Sequence, residues 1–338
     1  MEAVSRKTIS RKASDSFYIQ RGIAIFFVIC AHCSYYDSKI QRISALLGTI
    51  GVPIFFILSG FFSYRISDNK LFLRKISRDI IIPWLVWGVI TYCISILGGN
   101  ENNSFSSFVL WVIGYHTWLY YVPCLVVCKI IYQFIKLRCL NSVLILAGIF
   151  QYVLITIWEK NILFGTLYQN ILFWLPFYSM GVLMREMKVF LKEPEGQRRK
   201  LIVTGCLFVW LSQIYLGLIE PTYFNIISFI YEIIAFAFIY YLSFLIVQSK
   251  VLNTILSKIG KESYFIYFFH MQIAKNIVDL LTGGLFANLE GLCNVWVIVA
   301  RPAFMLLASH LSYRLIIAIA SKLKIRNKLW ILGIKSQV

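Results

Sequence analysis

Apolar runs of about 20 residues, separated by short polar stretches, recur along the chain. A helix of that length crosses the roughly 30 Å hydrocarbon core of a bilayer. The pattern predicts ten membrane-spanning helices, at residues 17–36, 44–64, 79–97, 116–135, 140–158, 164–184, 201–218, 224–247, 263–282 and 294–320. A shorter apolar piece at 108–115 is predicted to lie at the membrane interface or to re-enter the membrane. The expected fold is an all-α integral membrane protein.

The polar residues at the two ends of the chain set the expected domain boundaries. Residues 1–15 are basic and contain no apolar run, which predicts a disordered cytoplasmic tail, and residues 326–338 are expected to form a short cytoplasmic tail. Residues 16–325 then form one membrane domain of ten helices. No small-residue cleavage site follows the first apolar run, so this run is expected to stay as a helix and not to be a cleaved signal peptide.

Basic residues concentrate on one side of the predicted membrane. Twenty-five of the 33 Lys and Arg residues fall in the two tails and in every second loop, whereas only Lys39, Arg42 and Lys160 fall in the opposite loops. Lys and Arg favour cytoplasmic loops. Both termini are therefore predicted to be cytoplasmic.

Composition supports the membrane assignment and narrows the partners. The chain is 59% hydrophobic and only 14% charged, whereas soluble domains carry about 25% charged residues. A net charge of +18 suggests nucleic acid binding in a soluble protein, but here the cytoplasmic loops account for it. Membrane lipid is the expected environment, and nucleic acid is not an expected partner. The eight cysteines mostly lie within apolar runs, which predicts free thiols and no metal site.

Two ionisable residues lie within the first predicted helix. Arg21 and His32 are 11 residues apart, which places them on one helical face about 16 Å apart along the axis. An ionisable side chain inside a membrane is costly and marks a functional site by default. Simpler roles also remain open, namely an interfacial anchor for Arg21 and a packing hydrogen bond for His32. In the functional interpretation, His32 is a general base in the outer half of the helix, and Arg21 lies near its cytoplasmic end.

A basic cluster precedes the third predicted helix. Arg74 and Arg78 are four residues apart and share a helical face, and Lys75 lies between them in the chain. Arginine binds phosphate oxygens in a bidentate manner. The cluster is therefore either a plain interfacial anchor or the binding site of a phosphate-bearing cofactor that arrives from the cytoplasm.

Aromatic residues and histidines occur together at two further places. His116, Trp118 and Tyr121 lie at the outer start of the fourth predicted helix, and His270 lies near the middle of the ninth. Aromatic residues are common at membrane interfaces, and the same side chains suit sugar binding by stacking and hydrogen bonding. The spacing does not separate these roles. Glu232 is a further charge embedded in an apolar run.

Five segments, in order, resemble the membrane-bound acyltransferase 3 family. They are the spacing from Arg21 to His32 and the segments at 53–61, 72–78, 116–120 and 263–270. The resemblance covers about residues 15–325. The chain departs from the family pattern in two ways. One extra residue separates Arg78 from Pro83, and Lys75 stands where an arginine is expected, so either Arg74 or Lys75 fills the first basic position.

The resemblance implies an O-acyltransferase of the bacterial cytoplasmic (inner) membrane. Such an enzyme moves an acyl group, most often acetyl from acetyl-CoA, from the cytoplasmic side to a hydroxyl of a cell-surface or lipid-linked glycan such as O-antigen or exopolysaccharide. By resemblance, the site residues are catalytic His32 and Arg21, acyl-CoA-binding Arg74, Lys75 and Arg78, and acceptor-binding His116, Trp118, Tyr121 and His270.

Two further expectations accompany this assignment. No hydrolase-like domain follows the last predicted helix, so any extracytoplasmic partner domain is expected to be a separate protein. The alternative function is a transporter or flippase for a glycan or lipid intermediate, which would use the same embedded charges and aromatic residues without acyl transfer. The absence of a convincing internal repeat weakens that alternative.

Overall fold

The computed structural model describes residues 11–33, 38–99, 104–115, 117–137, 139–158, 167–188, 196–219, 225–282 and 294–334. Helices make up most of these residues, and no strand occurs among them. The α-helices are α1 (Arg11–His32), α2 (Ser38–Gly48), α3 (Gly51–Phe61), α4 (Asn69–Ile76), α5 (Ile82–Leu97), α6 (Phe105–Ile113), α7 (Tyr121–Phe134), α8 (Leu140–Trp158), α9 (Leu175–Glu186), α10 (Gly196–Ile219), α11 (Ile226–Ile246), α12 (Lys250–Phe269), α13 (Lys275–Thr282) and α14 (Asn294–Lys322).

Shorter turns connect several of these helices without a break. Two π-turns, at Ser77–Ile81 and His270–Ala274, join α4 to α5 and α12 to α13. Four 3₁₀ turns lie at Trp118–Tyr120, Leu167–Gln169, Ile171–Phe173 and Arg326–Leu332.

Six helical stretches in the described residues are long and apolar enough to cross a membrane. They are Arg11–His32, Ile40–Phe61, Asn69–Leu97, Leu140–Ile157, Ile226–Ile246 and Val297–Lys322. The bent pair Phe105–Ile113 and Trp118–Phe134, with an angle of 57°, is a seventh candidate if it counts as one span. The predicted spans at 164–184, 201–218 and 263–282 are not among these candidates.

The sixth predicted span shows why a hydropathy pattern and a helix can differ. Within 164–184, the structure has two 3₁₀ turns followed by α9, which has 12 residues. Asn170 interrupts the apolar run, because its side chain accepts a hydrogen bond from the Leu172 amide at 3.0 Å and caps the second turn. A single continuous helix over 164–184 was therefore a wrong prediction for its described part.

Part of the predicted N-terminal tail is helical. Helix α1 begins at Arg11, so residues 11–15 are helical, whereas a disordered tail was expected over 1–15. The first turn packs against α12, since Ala13 is fully buried and the Asn253 amide donates to the Asp15 carboxylate at 3.5 Å. Residues 1–10 lie outside the described part of the chain.

The C-terminal segment, expected as a short cytoplasmic tail over 326–338, packs against the helices in its described part. The 3₁₀ turn at Arg326–Leu332 buries Leu329, and the Trp87 indole N–H donates to the carbonyl oxygen of Leu332 at 3.2 Å. The sequence emphasised the basic residues of this segment, but residues 329–332 are apolar and let the segment pack on α5.

The helix that carries the basic cluster starts earlier than predicted. The third span was expected at 79–97, but helix begins at Asn69, where the Asp68 side chain caps it by accepting from the Lys70 amide at 2.8 Å. The π-turn at Ser77–Ile81 follows. A π-turn accommodates one extra residue within a helix, and this one lies at the position where the sequence has one residue more than the family spacing.

Helices α1 and α12 pack with their backbones in direct contact. A Cβ atom on Gly22 would overlap the carbonyl oxygen of Leu256, and one on Gly260 would overlap that of Tyr18. Small residues at such crossings let membrane helices approach closely. Gly260 therefore fixes how far apart the two helices stand.

The contacts also define the directions of the helices. Asp15 lies beside Asn253 near the start of α1 and α12, and His32 lies beside His270 at the end, so the two helices run parallel. Helix α14 runs antiparallel to α12, because its earlier residue Arg301 contacts Asp279 beyond the end of α12, whereas its later residue His310 contacts Glu262 within α12. The beginning of α1 and the beginning of α12 thus lie at one end of the molecule, and the two histidines lie towards the other.

Candidate active site

His32 and His270 form a pair. His32 is the last residue of α1 and is half-buried, whereas His270 opens the π-turn after α12 and is fully buried. Their ring centroids are 5.3 Å apart, with the planes tilted by 44°. The parallel packing of α1 on α12 brings them together from distant parts of the sequence. The expected catalytic residue His32 and the expected acceptor-binding residue His270 are therefore neighbours.

The hydrogen bonds of His270 define its neutral tautomer. Its Nδ1 lies 2.7 Å from the carbonyl oxygen of Tyr267 and 3.2 Å from that of Ile266. Carbonyl oxygens only accept, so the proton is assigned to Nδ1 and the lone pair to Nε2. Nε2 is buried and has no hydrogen-bond partner in the described part of the protein. An imidazole nitrogen in this state can accept a hydrogen bond, or a proton, from a hydroxyl.

Aromatic side chains enclose His270. The Trp118 ring lies 6.3 Å from the His270 ring, and the Tyr267 ring lies 6.2 Å away. The Tyr267 hydroxyl donates to the carbonyl oxygen of Trp118, which ties the 3₁₀ turn at the start of α7 to α12. The Trp118 indole N–H is buried and, within the described residues, has no acceptor. The enclosure thus holds one unpaired donor, the Trp118 indole N–H, and one unpaired acceptor, His270 Nε2. A hydroxyl can accept a hydrogen bond from the first and donate one to the second.

Tyr121 links this enclosure to Arg21. Its ring lies 5.4 Å from that of Tyr267, and its side chain hydrogen-bonds with that of Ser59. Arg21 is within electrostatic reach of Tyr121 and of Tyr18. Arg21 is three helical turns from His32, so it does not share the immediate surroundings of the histidine pair. Among the expected acceptor residues, Trp118 and His270 are adjacent, Tyr121 reaches them through Tyr267, and His116 lies outside the described residues.

The basic cluster lies at the other end of the molecule, away from the histidine pair. Arg74, Lys75 and Arg78 are all exposed. Lys75 donates to the Tyr64 hydroxyl at 2.6 Å and lies 4.9 Å from the centroid of that ring. The Arg78 guanidinium lies 5.8 Å from the centroid of Trp330. Because Lys75 is held by Tyr64, the exposed Arg74 is the better candidate for the first basic position.

The structure shows the surroundings of three further residues that were not assigned a role from the sequence. Tyr267 lies inside the 263–270 segment, but only its contact with Trp118 gives it a role. Glu232 on α11 is 8% exposed, lies within electrostatic reach of Tyr120, and has an Oε2 atom without a partner in the described structure. His310, the fourth histidine, places Nδ1 2.6 Å from the Glu262 carboxylate, and only the crossing of α14 on α12 reveals this.

The fold and site together define a class of protein. The chain is a helical membrane protein that buries a histidine pair in an aromatic enclosure, with an exposed basic cluster at the opposite end.

The chain belongs to the acyltransferase 3 family. The family model, described as an acyltransferase domain, matches residues 17–319. The protein is therefore a membrane acyltransferase. Comparisons with curated proteins and with solved structures found no significant match.

Proposed function

We propose that this protein is an O-acyltransferase that moves an acyl group, with acetyl as the favoured case, from acyl-CoA to a glycan hydroxyl. The donor binds on the cytoplasmic side of the bacterial inner membrane, and the acceptor is a cell-surface or lipid-linked glycan such as O-antigen or exopolysaccharide. The observation that carries the proposal is the contact between His32 and His270 inside an aromatic enclosure. The enclosure offers an unused indole donor and an unused imidazole acceptor.

The proposed arrangement in the membrane has ten spans with both termini in the cytoplasm. The distribution of Lys and Arg supports this orientation. The parallel packing of α1 on α12 and the antiparallel packing of α14 also support it. With ten alternating spans, the first and ninth would run in one direction and the tenth in the other.

In the proposal, the donor enters at the basic cluster. Arg74 and Arg78 bind the phosphate oxygens of acyl-CoA, with Lys75 as a neighbouring positive charge. The pantetheine arm then extends along α1, past Arg21, towards His32. Arg21 lies about 16 Å along the helix axis from His32. Its proposed role is therefore to hold the donor arm, together with Tyr121, and not to act on the reacting atoms.

The reaction is a transfer between two nucleophiles. The acceptor hydroxyl gives its proton to the His32 imidazole while its oxygen attacks the thioester carbonyl carbon. The carbon–sulfur bond then breaks, and the departing CoA thiolate takes the proton from the imidazolium. His270 Nε2 and the Trp118 indole N–H hold the acceptor hydroxyls in place. This direct transfer differs from a two-step route through acyl-His32, which intact-protein mass spectrometry would detect as an acetyl adduct.

Reconstituted membranes test the proposal against the transporter alternative. Proteoliposomes that contain only this protein, with labelled acetyl-CoA outside and a lipid-linked glycan in the bilayer, should accumulate label in the glycan. Movement of the glycan across the bilayer without incorporation of label would instead support a transporter or flippase.

A further inference from the structure

A second basic site lies at the same end of the molecule as the 74–78 cluster. It is a cavity of about 450 Å³ between the first turns of α1, the first half of α12, the second half of α14 and the Arg326–Leu332 turn. This volume falls in the range of small-molecule sites, roughly 300–1,000 Å³. Neither His32 nor His270 lines the cavity, so it is separate from the candidate active site.

Positive charge dominates the walls of this cavity. Five cationic side chains line it against two carboxylates, Asp15 and Glu262, and the cations are Arg11, Lys258, Lys261, Arg314 and Arg326. In the described part of the chain, none of the five lies within 4.0 Å of a carboxylate oxygen. A concave surface with an excess of one charge focuses its field on an oppositely charged ligand. The cavity is thus suited to an anion.

The two carboxylates offset this charge only in part, because five cations outnumber them. Glu262 accepts from His310 at 2.6 Å, and Asp15 accepts from the Asn253 amide at 3.5 Å. The nearest groups to each carboxylate are thus other than the five cations. Lys258 on α12 and Arg314 on α14 both line the cavity, and both lie within electrostatic reach of Glu262.

One turn of chain connects the cavity to the 74–78 cluster. Arg326 and Leu329 line the cavity, and Trp330, on the same 3₁₀ turn, lies 5.8 Å from the Arg78 guanidinium. The Tyr264 hydroxyl also donates to the carbonyl oxygen of Ile80 at 3.0 Å, so α12 meets the π-turn beside Arg78 directly. The cavity and the cluster therefore form two neighbouring cationic sites.

We propose that the cavity binds the phosphorylated ribose of acyl-CoA, with its 3′-phosphate between Lys258 and Arg314, while Arg74 and Arg78 bind the diphosphate. The assignment rests on the proposed acyl-CoA donor. The ligand chemistry is a phosphate group, and two separate cationic sites match a donor that carries phosphate at two places. The headgroup of an anionic phospholipid is the other source of the same chemistry.

Binding of adenosine 3′,5′-bisphosphate tests the site without relying on catalysis. We expect equilibrium dialysis against the full-length protein in phosphatidylcholine nanodiscs to detect binding. Lys258→Gln and Arg314→Gln should each weaken it at least tenfold. Lys250→Gln is the matched control, because Lys250 is exposed on the same helix and does not line the cavity. Absence of binding, or equal binding by wild type and Lys258→Gln, would overturn the proposal.

Native mass spectrometry separates the nucleotide from the lipid. In nanodiscs that contain phosphatidylglycerol, the wild type and the Lys250→Gln control should both bind the bisphosphate with the affinity that they have in phosphatidylcholine nanodiscs. If phosphatidylglycerol stays bound to wild type, is lost from Lys258→Gln, and excludes the bisphosphate, the cavity is a lipid site and the nucleotide assignment is wrong.

A comparison of two donors distinguishes failure of this site from failure of the proposed function. Lys258→Gln should raise KM for acetyl-CoA at least tenfold and leave kcat unchanged, whereas KM for acetyl-dephospho-CoA, which lacks the 3′-phosphate, should stay the same. If Lys258→Gln transfers acetyl and has the same ratio of KM values for the two donors as wild type, the phosphate site is refuted and the proposed function is not. Bisphosphate binding by a wild-type protein that transfers no acetyl group would refute the proposed function alone.

Discussion

The unpaired polar atoms around His270 give the site its chemical character. A buried donor or acceptor without a partner costs about 1–3 kcal/mol, and a bound ligand or an ordered water can remove that cost. Trp118 and His270 each keep one, on adjacent rings. A sugar hydroxyl that donates to the imidazole and accepts from the indole would satisfy both at once.

Replacing the indole tests this pairing at the level of one atom. Trp118→Phe keeps an aromatic ring and removes the N–H, so KM for the glycan acceptor should rise about three- to tenfold, as for the loss of one hydrogen bond. KM for acetyl-CoA should not change. Steady-state kinetics with a soluble oligosaccharide acceptor would measure both values.

Trp210→Phe is the control for that experiment. Trp210 is also buried and, in the described residues, has an indole N–H without an acceptor, but it packs on Phe27 and Phe238. Its replacement should leave both KM values unchanged. A Trp118→Phe enzyme with normal acceptor KM would remove the indole from the acceptor site.

At the scale of helices, the contact between α1 and α12 determines whether the two histidines meet. Gly260→Val would place a side chain against the carbonyl oxygen of Tyr18 and push the helices apart. Overpacking of this kind costs about 1–3 kcal/mol. We expect a lower melting temperature and a loss of acetyl transfer greater than the loss of folded protein, measured by thermal unfolding and by activity per folded molecule.

Gly205→Ala provides the matched comparison. A Cβ on Gly205 meets no atom within 4 Å, and Gly205 lies inside α10. Because alanine favours helix over glycine by roughly 0.5–1 kcal/mol, this variant should unfold at the same or a higher temperature with normal activity. If Gly260→Val behaves like Gly205→Ala, the two helices do not depend on close contact.

For six predicted spans the described structure has a long apolar helical stretch, but the helix ends differ from the predicted ones. Hydropathy marks only the part of a helix that faces lipid, and three helices continue into polar sequence. Helix extends back to Asn69 and Lys250, and α1 begins at Arg11. These extensions carry the 74–78 cluster and three of the five cations that line the cavity. Their helical state is decided by capping side chains and by packing, which an apolar pattern does not contain.

For the candidate site, the sequence predicts features within one helix but not contacts between helices. The spacing of Arg21 and His32 on one helix could be read directly, because both residues belong to α1. Three other features could not be predicted from the sequence. They are the contact of His32 with His270, the hydrogen bond from Tyr267 to Trp118, and the cavity between α1, α12 and α14. Each of these depends on how distant helices pack, and Gly22 and Gly260 become informative only when their neighbours are known.

At the scale of the whole molecule, donor and acceptor functions are assigned to opposite ends. Arg78→Ala, at the basic end, should therefore raise KM for acetyl-CoA about tenfold or more, since a charged hydrogen bond contributes about 1.5–3 kcal/mol. KM for the glycan should stay normal. Lys70→Ala, an exposed residue of the same helix, should change neither. A change in acceptor KM alone would contradict this division.

In the proposed mechanism, His32 takes the proton from the acceptor hydroxyl. The most direct measurement is the rate of acetyl transfer from labelled acetyl-CoA to glycan by wild type and His32→Gln in nanodiscs, with bound acetyl-CoA measured in parallel. Glutamine is similar in size but cannot act as a base, so transfer should fall by about 10²–10⁴-fold while acetyl-CoA binding is retained. Transfer by His32→Gln at a rate close to wild type would show that His32 is not the base.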